Sequence, residues 1–284
     1  MDKDLEGKVF LVTGATEGLG KAAAIAFARR GARIAIVARS PEKGARVAAE
    51  LRAAGGEVEV CLADLSSLAD VRRVADDFAA HHDRLDVLVN NAGAIFLDHA
   101  LSADGIERTF ALNHVGHFAL TTRLIGLIAK TKGARVVSTS SLAHRTGELR
   151  LPYAVTRDDG RAGFGAYADS KLANVLFTSE LALRLGGAGV ATSCFHPGYV
   201  RSGFGLNNGR VASYFLAIGG ALFARTPEKG AETLIWLAAS PEAASADGGY
   251  YVDCKLASTS ARATDARLRA DLWRVSEELA LRAG

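Results

Sequence analysis

Short apolar runs alternate with longer segments rich in Ala, Leu and Arg along most of the chain. The runs fall at residues 9–13, 33–38, 58–63, 87–90, 135–139 and 191–195. They are continuous apolar stretches rather than period-two patterns, as expected of strands in a parallel sheet covered by helices on both faces. Strand-length and helix-length segments in strict alternation predict repeated βαβ units and a doubly wound α/β fold. A helix over 227–239 leads into a seventh strand at 249–253, and 266–281 predicts a terminal amphipathic helix. No linker rich in Pro, Gly or Ser and no internal repeat divides the chain, so residues 1–284 read as one domain with a seven-stranded, mainly parallel sheet.

Two stretches break the pattern. Residues 142–165 contain Pro152, Asp158, Asp159 and four glycines, and irregular segments of that length in compact domains are commonly functional or disordered. Residues 211–224 are uncharged and apolar between Arg210 and Arg225. As a helix they would measure about 21 Å against a hydrocarbon core of about 30 Å, too short to cross a bilayer. Two readings fit: a buried core element, or, within 199–226, a substrate lid that also carries Phe204 and Leu206.

Composition narrows the class. With 49% hydrophobic residues, 23% charged residues and five prolines, the chain is neither disordered nor collagenous. The 34 Lys and Arg against 31 Asp and Glu leave +3, without a basic run that would track a phosphate backbone, so no nucleic-acid partner is expected. Cys61, Cys194 and Cys254 are odd in number and lack CxxC spacing, which predicts reduced thiols. The opening MDKDLEGK has no signal-peptide pattern, and the expectation is a cytoplasmic protein without a transmembrane segment.

The chemistry-bearing residues cluster at predicted strand ends. After the first strand comes Thr13-Gly14-Ala15-Thr16-Glu17-Gly18-Leu19-Gly20, opening a helix near Leu19. Glycines at 14, 18 and 20 let backbone approach a pyrophosphate, whose charge would face unpaired N–H groups and the positive helix end. The spacing is GxxxGxG, and taken alone it also fits a tight turn. The second strand ends Val37-Ala38-Arg39-Ser40, with no carboxylate before Glu42. An acidic residue there would accept a ribose 2′-OH, whereas arginine pairs a 2′-phosphate, so the cofactor expected is NADP(H). The alternative is that Arg39 is a solvated surface charge, and Glu17 in the phosphate turn is an awkward neighbour for extra negative charge.

Tyr167 and Lys171 are four residues apart on a predicted helix, on one face about 6 Å apart along its axis. A nearby ammonium favours phenolate, so Tyr167 is expected to have a lowered pKa and to serve as general acid/base. Around this pair stand Asn90-Asn91-Ala92-Gly93 after the fourth strand, Asn113 in Ala111-Leu112-Asn113-His114, and Ser138-Thr139-Ser140-Ser141 ending the fifth. In such a fold these strand ends share one edge, where ligands bind.

With these motifs in this order, the sequence resembles the short-chain dehydrogenase/reductase family, single-domain Rossmann enzymes, over nearly its whole length. The strings Arg135-Val136-Val137-Ser138-Thr139-Ser140-Ser141-Leu142-Ala143-His144 and Ser170-Lys171-Leu172-Ala173-Asn174 are most similar to retinol dehydrogenases and their bacterial relatives. The resemblance implies that Ser141 polarises the substrate oxygen, Tyr167 passes the proton, Lys171 tunes Tyr167 and holds the nicotinamide ribose, and Asn113 anchors a relay water. Whether Ser140 or Ser141 faces the site stays open, because the 26-residue step to Tyr167 is long for the family. It further implies Gly14, Thr16, Glu17, Gly18, Leu19, Gly20, Arg39, Asn91, Ala92 and Gly93 along the cofactor, Asp64 and Leu65 flanking adenine, and Pro197 and Gly198 flanking the nicotinamide.

The activity expected is an NADPH-dependent carbonyl reductase, reversible as an alcohol dehydrogenase, on a bulky apolar aldehyde or ketone. Its rivals are a ring double-bond reductase resembling protochlorophyllide reductase and a non-catalytic NADP(H) sensor. No metal is expected, since His114 and His117 lack a third ligand at suitable spacing. Relatives pair the two long helices holding Asn113 and Tyr167 into dimers or tetramers, while some retinol-type members stay monomeric.

Overall fold

Val9–Thr13 (β1) forms the middle of the sheet because both of its faces find apolar cover. Phe10 and Val12 pack to one side with Phe27, Leu51 and Leu234, while Val9 and Leu11 pack to the other with Phe78, Phe118 and Trp273. A computed structural model describes residues 3–156, 160–200 and 225–282. The other strands are Arg33–Ala38 (β2), Glu57–Leu62 (β3), Val87–Asn90 (β4), Arg135–Thr139 (β5), Ala191–His196 (β6), Gly249–Val252 (β7) and Lys255–Leu256 (β8). They hydrogen-bond in the order β3-β2-β1-β4-β5-β6-β7-β8, parallel throughout except for the antiparallel β7–β8 pair.

The doubly wound single-domain fold is as expected; the strand count is eight, not seven. The extra strand exists because Asp253 and Cys254 turn the chain with positive φ, ending β7 at Val252 and returning Lys255–Leu256 along it. No periodicity marks a two-residue strand. In β3, Glu57 and Glu59 alternate with Val58 and Val60, since an edge strand needs cover on fewer sides.

Gly18–Arg29 (α1), Pro41–Ala53 (α2) and Leu68–His81 (α3) return the chain between the first four strands. Ser40 and Ser67 cap α2 and α3 by accepting from Lys43 N and Asp70 N. The helix from 108 to 123 (α4) comprises Arg108–Phe110, a π-helical turn Ala111–Val115 and Gly116–Arg123. Ile125–Lys130 (α5), Phe164–Arg184 (α6), Pro227–Ala239 (α7) and Ala266–Arg282 (α8) complete the layers. The irregular 142–165 stretch holds a 3₁₀ turn, Leu142–Thr146, and a cis Leu151–Pro152 bond.

The apolar segment 211–224, with Phe204 and Leu206, lies outside the described residues. Val200 and Arg225, on either side of it, pair as an isolated parallel bridge. Among the described residues no helix is long and apolar enough to cross a membrane.

Candidate active site

Strand order reverses between β1 and β4, so the crevice at their carboxyl ends is where this architecture takes a ligand. The glycine turn lines it. Gly14 has φ +66°, and a Cβ there would meet the Ala92 backbone at 2.7 Å; a Cβ on Gly20 would overlap the Gly14 carbonyl. Residue 17, at the N-cap of α1, offers no side-chain cap, and the first turn of α1 carries no acidic residue. Its amides are therefore left for an external anion, and a pyrophosphate fits a cradle from which side chains have been removed.

Asn91 braces that cradle rather than merely bordering it. Its Nδ2 donates to Thr13 O at 3.2 Å and Gly14 O at 3.1 Å, and its Oδ1 accepts from Thr139 Oγ1 at 3.1 Å. Thr13 Oγ1 accepts from the amides of Asn91 and Ala92 at 2.8 and 3.0 Å. A Cβ on Gly93 would lie 3.1 Å from Asn113 Oδ1 and 3.6 Å from Lys171 Nζ, which places this turn between the glycine cradle and those two side chains.

Just past the end of β2, Arg39 is exposed and lies 3.9 Å from Asp64. Asp64 accepts from Ser66 N and Oγ, and Leu65 is buried under α4, where its carbonyl abuts Gly116. The sequence reading overlooked Lys43. One turn into α2, its Nζ reaches Glu17 Oε2 at 3.4 Å and offsets the carboxylate that stood out as unfavourable near a phosphate. Its place in the first turn of the helix after Arg39 was the available signal. Just past the end of β6, Gly198 has φ +79° and sits under the guanidinium of Arg225, which pairs with Asp253.

Tyr167, Ser141 and Lys171 come together at the carboxyl ends of β5 and β6. Tyr167 shares a side-chain hydrogen bond with Ser141, and Lys171 Nζ stands 5.5 Å from the Tyr167 ring centroid while donating to Thr139 O at 3.1 Å. Of the two serines, Ser141 faces Tyr167, whereas Ser140 is buried and donates to Lys171 O at 2.8 Å. The expected lowering of the Tyr167 pKa is absent: burial pushes it up to about 12, partly opposed by the Ser141 hydrogen bond. Burial also pushes Lys171 down to about 8. The two shifts have one cause, since each penalises the charged form of its group.

Asn113 lies in the π turn of α4, fully buried. Its Nδ2 donates to Ala94 O at 2.9 Å and Ser170 Oγ at 3.0 Å, and its Oδ1 accepts from Ala94 N at 2.9 Å. Its carbonyl accepts from Asn174 Nδ2 at 3.0 Å and takes a contact from His117 Nδ1 at 3.2 Å. Through these contacts Asn113 ties α4, α6 and the Gly93 turn together.

Asn174, which sequence reasoning carried only as part of a resembling string, ties this together. Its Nδ2 also donates to Thr139 O at 3.1 Å, the carbonyl that Lys171 uses, and its Oδ1 faces His114 Nδ1 at 3.2 Å. His114 Nε2 meets Ser276 Oγ of α8 at 2.9 Å. Burial pushes His114 down to about 4 and His117 to about 3, so both rings are neutral hydrogen-bonding spacers. Among the described residues no three His, Cys, Asp or Glu side chains cluster as metal ligands.

The family described as short chain dehydrogenase matches residues 8–209. Retinol dehydrogenase 12 of Bos taurus is 41% identical, over 98% of this chain and 88% of that protein. A candidate daunorubicin C-13 ketoreductase of Streptomyces sp. (strain C5) is 39% identical over 96% of this chain and 92% of its own length. A solved short chain dehydrogenase from Burkholderia cenocepacia J2315, in complex with NADP, superposes with a TM-score of 0.70 at 29% identity, covering 87% of this chain and 96% of that one. With its glycine cradle, its Ser141–Tyr167–Lys171 cluster and these relatives, the chain belongs to the short-chain dehydrogenase/reductase family and is similar to its retinol dehydrogenases.

Proposed function

We propose that the protein is an NADP(H)-dependent carbonyl reductase, reversible as an alcohol dehydrogenase, acting on bulky apolar aldehydes, ketones or alcohols. The observation that carries the reading is the Ser141–Tyr167 hydrogen bond with Lys171 beneath the same ring. A nicotinamide supplies or accepts the hydride. Ser141 and Tyr167 then form a two-donor site for the charge that develops on the substrate oxygen, and Tyr167 delivers the proton. Lys171 holds the cofactor ribose and supplies a nearby positive charge. Asn113, beside them, anchors a water of the proton relay in this reading.

NADP(H) rests on Arg39 and Lys43 at the adenosine end and on the absence of a carboxylate ending β2. Gly14, Thr16, Gly18, Leu19 and Gly20 take the pyrophosphate side, Asp64 and Leu65 the adenine, and Asn91 to Gly93 with Pro197 and Gly198 the nicotinamide side. An apolar substrate is supported by exposed Leu142 beside Ser141 and by exposed Phe164, whose ring centroid is 6.2 Å from that of Tyr167. The relatives' names, for retinol and for the C-13 ketone of daunorubicin, are consistent with alcohol and carbonyl chemistry. Three free cysteines accord with a cytoplasmic setting. Trp273 of α8 lies against Phe118 of α4 and Phe177 of α6, and a homodimer or homotetramer remains part of this reading.

The test is oxidation of NADPH and, in parallel, NADH by the purified protein against retinal, long-chain aldehydes, aromatic ketones and steroids. Turnover with a marked preference for NADPH is expected. Tight NADPH binding without turnover on any of these would overturn the reductase reading in favour of a sensor.

A further inference from the structure

We infer that His144 is a positioning residue that fixes Ser141 through its Nδ1–H tautomer and couples the Ser141 turn to the chain following β8. This rests on the reading of Ser141 as a donor to the substrate oxygen. His144 is fully buried at the 3₁₀ turn Leu142–Thr146, and its ring makes two polar contacts. Nδ1 lies 2.7 Å from the carbonyl of Ser141, and Nε2 lies 3.3 Å from the amide of Ser260.

A carbonyl only accepts and a backbone amide only donates, so Nδ1 carries the hydrogen and Nε2 is bare. One neutral tautomer satisfies both, and protonation or the other tautomer would lose at least one. Burial and the neighbouring Arg145 hold the ring below its ordinary pKa, in keeping with that neutral form.

The same carbonyl of Ser141 also accepts from His144 N at 3.1 Å, while Ser141 Oγ accepts from Ala143 N at 3.2 Å. The backbone that aims Ser141 at Tyr167 is therefore cinched chiefly by residue 144. Tyr250 supports the ring edge-on, with centroids 4.7 Å apart. A neighbouring tie acts in parallel: Arg145 Nη2 donates to Ser258 O at 2.6 Å, so the turn and the 257–264 segment meet at adjacent residues. His144 and Ser260 are 116 residues apart, which is why periodicity or local spacing could not have singled out this histidine.

Asparagine and glutamine separate the two contacts. In His144→Asn, the amide nitrogen overlays Nδ1 and can donate to Ser141 but does not reach Ser260. In His144→Gln, an amide oxygen near the Nε2 position can accept from Ser260 while the donor to Ser141 is lost. Turnover of the full-length protein with NADPH and amide hydrogen exchange would be measured together, with His144→Ala as reference. Expected is a kcat lowered about tenfold to a hundredfold in His144→Gln and His144→Ala, recovery to within about threefold of the unsubstituted enzyme in His144→Asn, and NADPH affinity changed less than about twofold throughout. Exchange over 141–147 should accelerate in the Gln and Ala variants but not in Asn, and exchange over 257–264 in Asn and Ala but not in Gln.

Equal loss of kcat in the Asn and Gln variants, or undisturbed exchange over 141–147 in His144→Gln, would overturn the inference. An unsubstituted protein that turns over nothing would speak against the reductase reading alone, because the exchange pattern still decides the role of His144.

Discussion

Two buried charges sit at opposite edges of the same sheet and are treated in opposite ways. Asp86, just before β4 at the amino edge, takes hydrogen bonds from Lys8 Nζ at 3.1 Å, Arg84 Nε at 2.8 Å and Val9 N at 2.9 Å. Burial alone would raise its pKa, but Arg84, the Val9 amide and Lys8 outweigh it and hold the carboxyl below the usual range. Lys171, at the carboxyl edge, donates to the Thr139 carbonyl with no carboxylate paired to it among the described residues, and burial carries it down to about 8. A charge with complementary partners stabilises the fold. A charge left with a neutral partner stays close to giving up its proton, as acid/base work near neutral pH requires.

The sharpest way to break this contrast is at Tyr167, whose ring lies beside Lys171. Tyr167→Phe is expected to lower kcat by about a thousandfold while NADPH affinity, read by fluorescence titration, changes little. Retained turnover would remove the proton role. Lys171→Met should cost about a hundredfold in kcat/KM and also weaken NADPH. Its melting temperature at pH 7 should hold or rise, because the folded pKa near 8 lies below the unfolded value of about 10.4 and the folded state bears the charge at a penalty at every pH below 8. A fall in melting temperature would put Lys171 on the same footing as Asp86.

The pH profile sharpens the same point. Carbonyl reduction should decline through an apparent pKa near 8 as Lys171 deprotonates, and a profile flat from pH 6 to 10 would contradict it.

Arg39→Ala should weaken NADPH about tenfold and leave NADH unchanged, a modest effect for an exposed cation, and equal loss of both would refute phosphate pairing. Smallest in activity is Asp86→Asn, which should leave kcat intact while lowering stability by about 2 kcal/mol in denaturant unfolding. Because the folded pKa of Asp86 is depressed, its contribution is full above the unfolded value of about 3.9 and lost as pH falls through the lower folded value. The variant and the unsubstituted protein should therefore converge in strong acid.

The glycine turn and the tyrosine–lysine pair were legible because their information is local. Gly14, Gly18 and Gly20 lie within seven residues and are placed by a single strand-to-helix turn. Tyr167 and Lys171 are one helical turn apart and face one way for the same reason. The catalytic surroundings were less legible. Ser140 and Ser141 are adjacent in sequence, and only the packing of α6 against β5 sends one to the Lys171 backbone and the other to Tyr167. Lys43 meets Glu17 only because the packing of α2 points it back at the glycine turn.

The sequence by itself determined the alternation of strands and helices, the edge at which the motifs gather and the family. Those properties follow from apolar periodicity and from short-range backbone geometry, which spacing encodes directly. The tertiary structure decided the environment: the upward shift of Tyr167, the downward shift of Lys171, the engagement of Asn113 through Asn174, and the tie from His144 to Ser260. Burial and hydrogen bonding depend on which distant segments close over a residue, and that arrangement exists only once the sheet has brought β5, α6 and the chain after β8 to one place.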